Sequence, residues 1–288
     1  MRTEFKLRTS IRALTDHAAT AVAILSTLLV VTPLVVIFAY LLIRGFGSLN
    51  LAFFTKVPVP VGEAGGGMAN AIVGSAVLLG LASAIGIPLG IGAGIYLAEF
   101  GRGTKLAYAV RFTADVLNGV PSIVMGLAAF SLVVVPQGHY SAMAGGVALG
   151  IMMVPTICRT TEEMLLMVPH AVREAALGLG VPNWRSVLSI TVKTASPGII
   201  TGCMLAFARV AGETAPLLFT ALGNQFWSTS LNEPIAALPL QIYVYALSPY
   251  DEWHRLAWAG SLVLIVLIVL SVSLVRYVTS RGVLKGTS

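Results

Sequence analysis

An arginine and a glutamate lie one helical turn apart inside a long apolar run. Arg209 and Glu213 are the charged residues of the run 197–222. An arginine at the centre of a membrane-spanning helix costs about 2.5–3.5 kcal/mol even on the gentler insertion scale, so such residues usually have a function. A guanidinium there favours an anion with several oxygens. The spacing of four also predicts an ion pair, which would reduce the cost of burial. The alternative is that this pair only clamps two helices together.

Two further features extend this candidate site. Gly212 and Pro216 flank the glutamate and predict irregular backbone, which is tolerated at membrane depth where it is buried or lines a watery path. Arg159, at the end of the apolar run 141–157, is a second candidate contact for an anion. A positively charged anchor at the membrane surface explains Arg159 equally well.

A short polar stretch, 168–180, predicts a helix outside the membrane. Pro169 stands where a first helical position tolerates proline, and Gly180 stands where a helix usually ends. Small apolar residues recur between them at helical spacing, at Ala171, Ala175, Ala176 and Leu179. We call the segment 169–180 the surface helix and predict that it fits a groove on a partner protein.

The motifs of common catalytic sites are missing from the sequence. It contains no G-x-x-x-x-G-K-[ST] phosphate loop, no H-E-x-x-H and no G-x-S-x-G. The four histidines are scattered, and Cys158 and Cys203 lie in or beside apolar runs, so neither a metal site nor a disulfide is predicted. We therefore expect no catalysis by this chain, and uphill transport would draw its energy from a partner at the surface helix.

Composition identifies the elements that must position these residues. Hydrophobic residues make up 57% of the 288 residues and charged residues 10%, whereas a soluble domain has roughly a quarter charged residues. The sequence therefore predicts an all-α polytopic membrane protein with a cytoplasmic tail at 1–19, a six-span domain at 20–278 and a second tail at 279–288. The six predicted spans are 20–43, 69–97, 108–135, 141–157, 197–222 and 256–278.

The sequence also predicts some contacts between helices. Gly86, Gly90 and Gly94 are four residues apart, so they lie near one helix face and predict the close approach of another helix. In the third span, Arg111 and Asp115 are predicted to pair at i,i+4 along one helix and to anchor it at the membrane interface. Pro121 predicts a bend in that span.

Positive charges predict the orientation. The segments that contain the two termini, the 99–111 link and the 158–195 stretch together hold fourteen lysines and arginines, and the opposite loops hold three. Because cytoplasmic loops carry the excess of positive charge, both termini and the surface helix are predicted to be cytoplasmic.

The surface helix carries a family resemblance. Glu174-Ala175-Ala176, Gly180 and Ile190 resemble the EAA loop of permease subunits in binding-protein-dependent ABC importers, and Lys193 departs from that motif, which ends in proline. Other stretches are similar to the PstA-type permeases of inorganic phosphate importers: GGGMANAIVGS at 65–75, RTTEEML at 159–165, REAALGLGVPNWRSV at 173–187, ARVAGETAPLLFTALGNQFWS at 208–228, PIAALPLQIY at 234–243 and SPYDEWHRLAWAG at 248–260.

The resemblance implies a fold, partners and residue roles. The fold would be that of a type I ABC importer permease in a bacterial inner membrane. The partners would be a second similar permease, two ATPase subunits and an extracytoplasmic phosphate-binding protein. No cofactor is implied in this chain, because ATP and Mg²⁺ would bind to the ATPase. The residues implied to couple to the ATPase are Glu174, Ala175, Ala176 and Gly180. Those implied in phosphate passage are Arg209, Glu213 and Arg159.

Three functions are compatible with these features. The first is the phosphate permease of an ATP-driven importer. The second is the same assembly for another oxyanion, such as sulfate or molybdate. The third is a stand-alone secondary transporter or channel, which would work without an ATPase.

Overall fold

The protein is all-α in the computed structural model, which describes residues 2–60, 63 and 65–284, with the backbone alone at 2–11, 13, 14 and 280–284. Its helices are α1 (Arg2–Phe46), α2 (Leu51–Thr55), α3 (Ala69–Ile95), α4 (Lys105–Gly119), α5 (Ser122–Ala129), α6 (Val135–Gln137), α7 (Ala142–Leu166), α8 (His170–Gly178), α9 (Asn183–Ser186), α10 (Val192–Ala211), α11 (Ala215–Thr220), α12 (Leu238–Ala246) and α13 (Asp251–Leu284). Single π-helical turns extend α3 and join α5 to α6 and α9 to α10, at Tyr96–Phe100, Phe130–Val134 and Val187–Thr191.

Five helical stretches within the described residues are long and apolar enough to cross a membrane. They are Thr15–Phe46, Ala69–Phe100, Ala142–Leu166, Asn183–Ala211 and Asp251–Thr279. A sixth crossing is formed if α4 and the segment Ser122–Gln137 are counted as one bent span. The predicted polytopic helical fold is therefore confirmed. At both ends of the chain, the segments predicted as tails continue the adjacent helix, from Arg2 in α1 and to Leu284 in α13.

The third span, predicted as the single run 108–135, is a broken helix. The axes before and after the break differ by 112°. Val120 and Pro121 adopt extended backbone, with ψ of 132° and 138°, so the bend predicted at Pro121 is confirmed and is sharper than a kink. Gly126 of α5 then packs against Pro216 of α11, where an added Cβ would lie 2.7 Å from the Cα of the proline. This contact with a distant part of the chain accompanies the turn.

The centre of the fold is the pair α3 and α7. The predicted glycine face is confirmed, because a Cβ added at Gly86, Gly90 or Gly94 would lie within 2.7 Å of an α7 side chain. The facing residues are Met153, Ile157 and Thr161. In return, Gly145, Gly146 and Gly150 of α7 face the side chains of α3. The paired numbers rise together along both helices, so α3 and α7 run parallel at close range.

The fifth span also differs from the predicted run 197–222. Its helical path begins at Asn183, passes through the π-helical turn and α10, and ends at Ala211. Gly212 leaves the helical geometry, with φ of −97° and ψ of 1°, and α11 restarts three residues later. The irregular backbone predicted at Gly212 and Pro216 is therefore confirmed.

The loop after α11 folds back onto the start of two spans. The Asn70 side-chain amide donates to the Asn224 carbonyl at 2.9 Å. The backbone N–H of Ala142 donates to the Glu233 carbonyl at 2.9 Å. These bonds fasten the loop 221–237 to the amino-terminal ends of α3 and α7, at the end of the bundle opposite the surface helix.

Candidate functional site: membrane arginines and the surface helix

Arg209 lies in the last turn of α10 at the depth of the apolar interior. Its neighbours Phe207 and Ala211 line a cavity of about 350 Å³ together with Leu79 of α3 and Leu267 of α13. Leu267 is near the middle of the span Asp251–Thr279, which sets the depth. Two residues turn a helix by about 200°, so Arg209 projects from the side of α10 away from that cavity.

The side of α10 that carries Arg209 is exposed in this chain. Thr201, Leu205 and Arg209 recur at intervals of four and are all exposed, with Leu205 at 65%. Among the described residues, no side chain pairs with the Arg209 guanidinium. The face therefore presents a free arginine to whatever lies beside the subunit in the membrane.

The predicted ion pair between Arg209 and Glu213 is wrong. A pairing at i,i+4 requires a continuous helix through both residues, and the helix ends at Ala211. Glu213 lies in the short break before α11, half-buried. Both residues stay beside the broken backbone, but the carboxylate does not neutralise the arginine.

Arg159 belongs to a cluster of four charged side chains between α4 and α7, which we call the ion cluster. Its Nη1 donates to Glu162 Oε2 at 2.9 Å, and its Nε lies 3.0 Å from Asp115 Oδ1. Arg111 Nε donates to the other oxygen of Glu162 at 2.6 Å, and Arg111 Nη2 donates to the Leu97 carbonyl at 3.2 Å. Two guanidiniums therefore share one carboxylate, and the four formal charges cancel.

Two sequence-based expectations about these residues are corrected by the structure. The predicted pairing of Arg111 with Asp115 along α4 is wrong, because both side chains reach across to α7 instead. The helix that carries Arg159 also ends later than the predicted span 141–157, because α7 continues to Leu166. The sequence did contain a signal for the contact with Glu162, because Arg159 and Glu162 have the i,i+3 spacing of a helical ion pair.

The two acids of the ion cluster have different environments. The Glu162 side chain is only 4% exposed and bonds both arginines, whereas the Asp115 side chain is 55% exposed and contacts Arg159 alone. A buried carboxylate with two partners is costly to unpair, and an exposed one exchanges readily with water or another anion. Glu162 therefore fixes the cluster, and Asp115 is its exchangeable member.

The surface helix forms where the sequence predicted it. It follows extended backbone at Pro169 and covers His170–Gly178 as α8. Gly180 closes it in the left-handed region, with φ of +74°, where residues with a Cβ are strained. Ala176 is buried in the chain's own core, while Glu174 and Ala175 are exposed. The part of the predicted apolar face that remains open is made by Ala171, Ala175 and Leu179.

One contact of the surface helix escaped sequence reasoning. Arg173 forms an ion pair with Glu99 of the π-helical turn that extends α3, with Nη2 to Oε1 at 2.9 Å and Nη1 to Oε2 at 3.2 Å. Arg173 Nη2 also donates to the Leu165 carbonyl at the end of α7, at 2.6 Å. The partners are 74 residues apart in sequence, and no local spacing rule predicts such a pair.

Comparison with known proteins identifies the family. The family described as "Binding-protein-dependent transport system inner membrane component" matches residues 86–282, which include both arginines and the surface helix. The chain belongs to this family. It is accordingly a multi-pass subunit of an inner-membrane transport system, and the matched range covers all the spans from the middle of α3 onward.

Relatives of this family member are found in bacteria and in an archaeon. The chain is 51% identical over 238 residues to the phosphate transport system permease protein PstA of Yersinia pestis, covering 83% of this chain and 81% of the relative. It is 49% identical to the PstA of Xylella fastidiosa strain 9a5c, over 80% of each chain. It is 35% identical to a probable PstA of Methanocaldococcus jannaschii, over 87% of this chain and 89% of that one.

Solved structures of two transporters share the fold. One is the inward-facing MetNI methionine ABC transporter, with a TM-score of 0.58 and 20% identity over 75% of this chain and 95% of that chain. The other is an amino acid ABC transporter solved with histidines, with a TM-score of 0.55 and 16% identity over 75% and 92%. The permease therefore has the type I ABC importer fold predicted from its sequence.

Proposed function

We propose that this permease forms half of the phosphate path in an ATP-driven importer. Two observations support the substrate and the role. The similar proteins carry the name phosphate transport system permease protein, at 47–51% identity for those of Yersinia, Xylella and Haemophilus. The observation that carries the proposal is the guanidinium of Arg209, which lies at the depth of the apolar interior without a partner among the described residues.

Arg209 would contact phosphate directly. An unpaired arginine in hydrocarbon is unfavourable, so a water-filled path or an incoming anion must satisfy its five N–H donors. Phosphate fits because its oxygens match the planar fork of a guanidinium. The exposed stripe Thr201, Leu205 and Arg209 would then face a second permease subunit, and the path would run between the two. Glu213, beside the same backbone break, would limit how tightly the anion is held.

The ion cluster would act at the cytoplasmic end of the path. Arg159 keeps its bond to the buried Glu162, and its contact with the exposed Asp115 is the one an oxyanion can replace. Phosphate carries more charge than a single carboxylate and can compete for the same Nε edge. Arg159 would therefore bind phosphate by exchange, whereas Arg209 would bind it without displacing a partner.

The surface helix would couple this path to ATP hydrolysis. Glu174, Ala175 and the left-handed turn at Gly180 are exposed at its outer side, and Ala176 holds the helix to the chain. Two ATPase subunits would bind there and would supply ATP and Mg²⁺. A phosphate-binding protein would deliver the anion to the opposite end. Both termini and the surface helix would be cytoplasmic, as the distribution of basic residues predicts.

Uptake measurements test this function. The chain, with its ATPase, the second permease and the phosphate-binding protein, is expressed in cells whose own phosphate importers are deleted, and uptake of labelled phosphate is compared with that of sulfate and molybdate. We expect phosphate uptake that disappears when the ATPase is omitted. Uptake of sulfate or molybdate in its place would assign another oxyanion, and phosphate uptake that persists without the ATPase would make the chain a secondary transporter.

A further inference from the structure

We propose that the ion pair between Arg173 and Glu99 transmits the movement of the surface helix to the membrane spans. Arg173 is in this sense a positioning residue for coupling and not a contact for ATP or phosphate. The inference rests on the proposed function, because it assumes that an ATPase moves the surface helix.

The pair is buried although it lies at the edge of the membrane domain. The side chains of Arg173 and Glu99 are 14% and 8% exposed. Two guanidinium nitrogens meet two carboxylate oxygens, at 2.9 and 3.2 Å. Only the Nη1 contact is a hydrogen bond, and Glu99 Oε1 accepts none among the described residues. The close approach of the two opposite charges at two points still restricts their orientation, which an apolar contact does not.

The pair connects the surface helix to both members of the central helix pair. Glu99 belongs to the π-helical turn Tyr96–Phe100 that ends the second span. The same Arg173 Nη2 donates to Leu165 in the last turn of α7, at 2.6 Å. Since α3 and α7 are locked together by their glycine faces, a displacement received at Glu99 and Leu165 moves them as one body.

Besides the Arg173 contacts, the described residues of the surface helix make apolar contacts with the rest of the chain. Ala176 is buried, and Val172 is half-buried against the main core. Apolar contacts resist separation but allow sliding, because they have no preferred direction. The Arg173 contacts are therefore the directional part of the connection, and losing them should weaken coupling more than it weakens attachment of the helix.

The test measures phosphate transported per ATP hydrolysed. The complete importer, with its binding protein, is reconstituted in vesicles with Arg173→Gln or with Glu99→Gln. We expect each variant to lower the ratio of phosphate uptake to ATP hydrolysis by about tenfold, while hydrolysis continues. Arg102→Gln is the matched control and should keep the wild-type ratio. Arg102 is exposed three residues from Glu99 and, within the part of the chain that the structure describes, its side chain bonds only the Ala98 carbonyl.

A charge exchange separates a specific link from general damage. The double variant Arg173→Glu with Glu99→Arg restores the ion pair but not the bond to Leu165, so the ratio should recover to about half the wild-type value. If Arg173→Gln does not assemble, Arg173→Lys takes its place, since it keeps the charge and loses the two-point contact; it should also lower the ratio.

The outcomes are distinct. Unchanged ratios in the single variants, or a double variant no better than the poorer single one, would overturn the link while leaving the proposed function intact. A wild-type importer without phosphate-dependent ATP hydrolysis would overturn the proposed function and this link with it.

Discussion

Arg209 has no partner within the described part of its own chain, and this sets its energetics. Leaving a charged arginine at the centre of a bilayer costs about 2.5–3.5 kcal/mol on insertion scales. The neighbouring Glu213, which could have offset that cost, lies beyond the end of the helix. Removing the Arg209 charge should therefore not destabilise this subunit. The cost of burying the charge is explained if the guanidinium binds a group outside the chain.

The substitution Arg209→Gln should abolish most transport without harming assembly. Removing a charge-assisted hydrogen bond to an anion loses about 1.5–3 kcal/mol, which corresponds to a fall of about 10- to 140-fold in phosphate uptake. Arg209→Lys keeps the charge but not the planar fork of donors, so its phosphate uptake should lie between that of the wild type and that of Arg209→Gln. Uptake is measured at equal amounts of importer in the membrane, with the exposed Arg185 changed to Gln as the control. Normal uptake by the Arg209→Gln importer would remove this residue from the path.

At the residue scale, the sequence predicted which charges lie at membrane depth but not how they pair. Hydropathy is sufficient to place Arg209 at membrane depth, because the residues on both sides of it are apolar. The predicted pairs Arg209–Glu213 and Arg111–Asp115 required an unbroken helix and a partner on the same helix. The true partner of Arg111 is Glu162, 51 residues away, and only the packing of α4 on α7 reveals it.

At the element scale, Glu162 holds α4 to α7 by serving two arginines at once. Glu162→Gln should destabilise the subunit by about 3 kcal/mol, the lower end for a broken buried pair because the two guanidiniums are 36% and 34% exposed. Thermal denaturation of the detergent-purified importer measures the change. Glu163→Gln is the matched control, because Glu163 is exposed one residue later. Equal melting temperatures for the two variants would show that the ion cluster does not stabilise this contact.

The contact between α3 and α7 gives a second matched pair on one helix. In Gly90→Leu, the new Cβ would lie 2.7 Å from the Ile157 Cβ, so the helices must separate, at a cost of about 1–3 kcal/mol. In Gly92→Leu, nothing lies within 4 Å of the new Cβ. Both changes alter helix propensity equally, so the difference between them reports packing. We expect Gly90→Leu alone to reduce the amount of assembled importer, and equal losses in both variants would contradict the packing.

Elements were predictable where a local pattern carries the information. Glycines at intervals of four identified the packed face of α3, because that spacing fixes one side of a helix. Pro121 identified a break, because proline removes a donor and restricts the residue before it. The 112° turn at the break was not predictable, since its direction depends on how α5 packs against α11, two elements about 90 residues apart.

At the scale of the whole molecule, the first span stands apart from the bundle. The most apolar 18 residues within Thr15–Phe46 include no buried residue. The contact of α1 with α13 includes Tyr40, Gly45 and Trp258. The described chain therefore leaves uncovered an apolar surface along α1 and the stripe of Thr201, Leu205 and Arg209 along α10. Lipid and a second permease subunit together would account for both, because the path proposed for phosphate requires a second wall opposite Arg209.

The orientation of the chain across the membrane is predicted by its basic residues and not by its fold. Cys158 and Cys203 are 1% and 5% exposed, so the wild-type chain should react little with a thiol reagent. A cysteine introduced as Thr229→Cys lies in the loop 221–237, and one introduced as Lys105→Cys lies at the start of α4, at the end of the bundle near the surface helix. In spheroplasts treated with a membrane-impermeant maleimide, Thr229→Cys should be labelled at once. Lys105→Cys should be labelled only after the membrane is opened, because the excess of basic residues, fourteen against three, predicts that its side of the chain is cytoplasmic. The opposite labelling order would place the surface helix outside the cell, where no ATP-hydrolysing subunit could reach it.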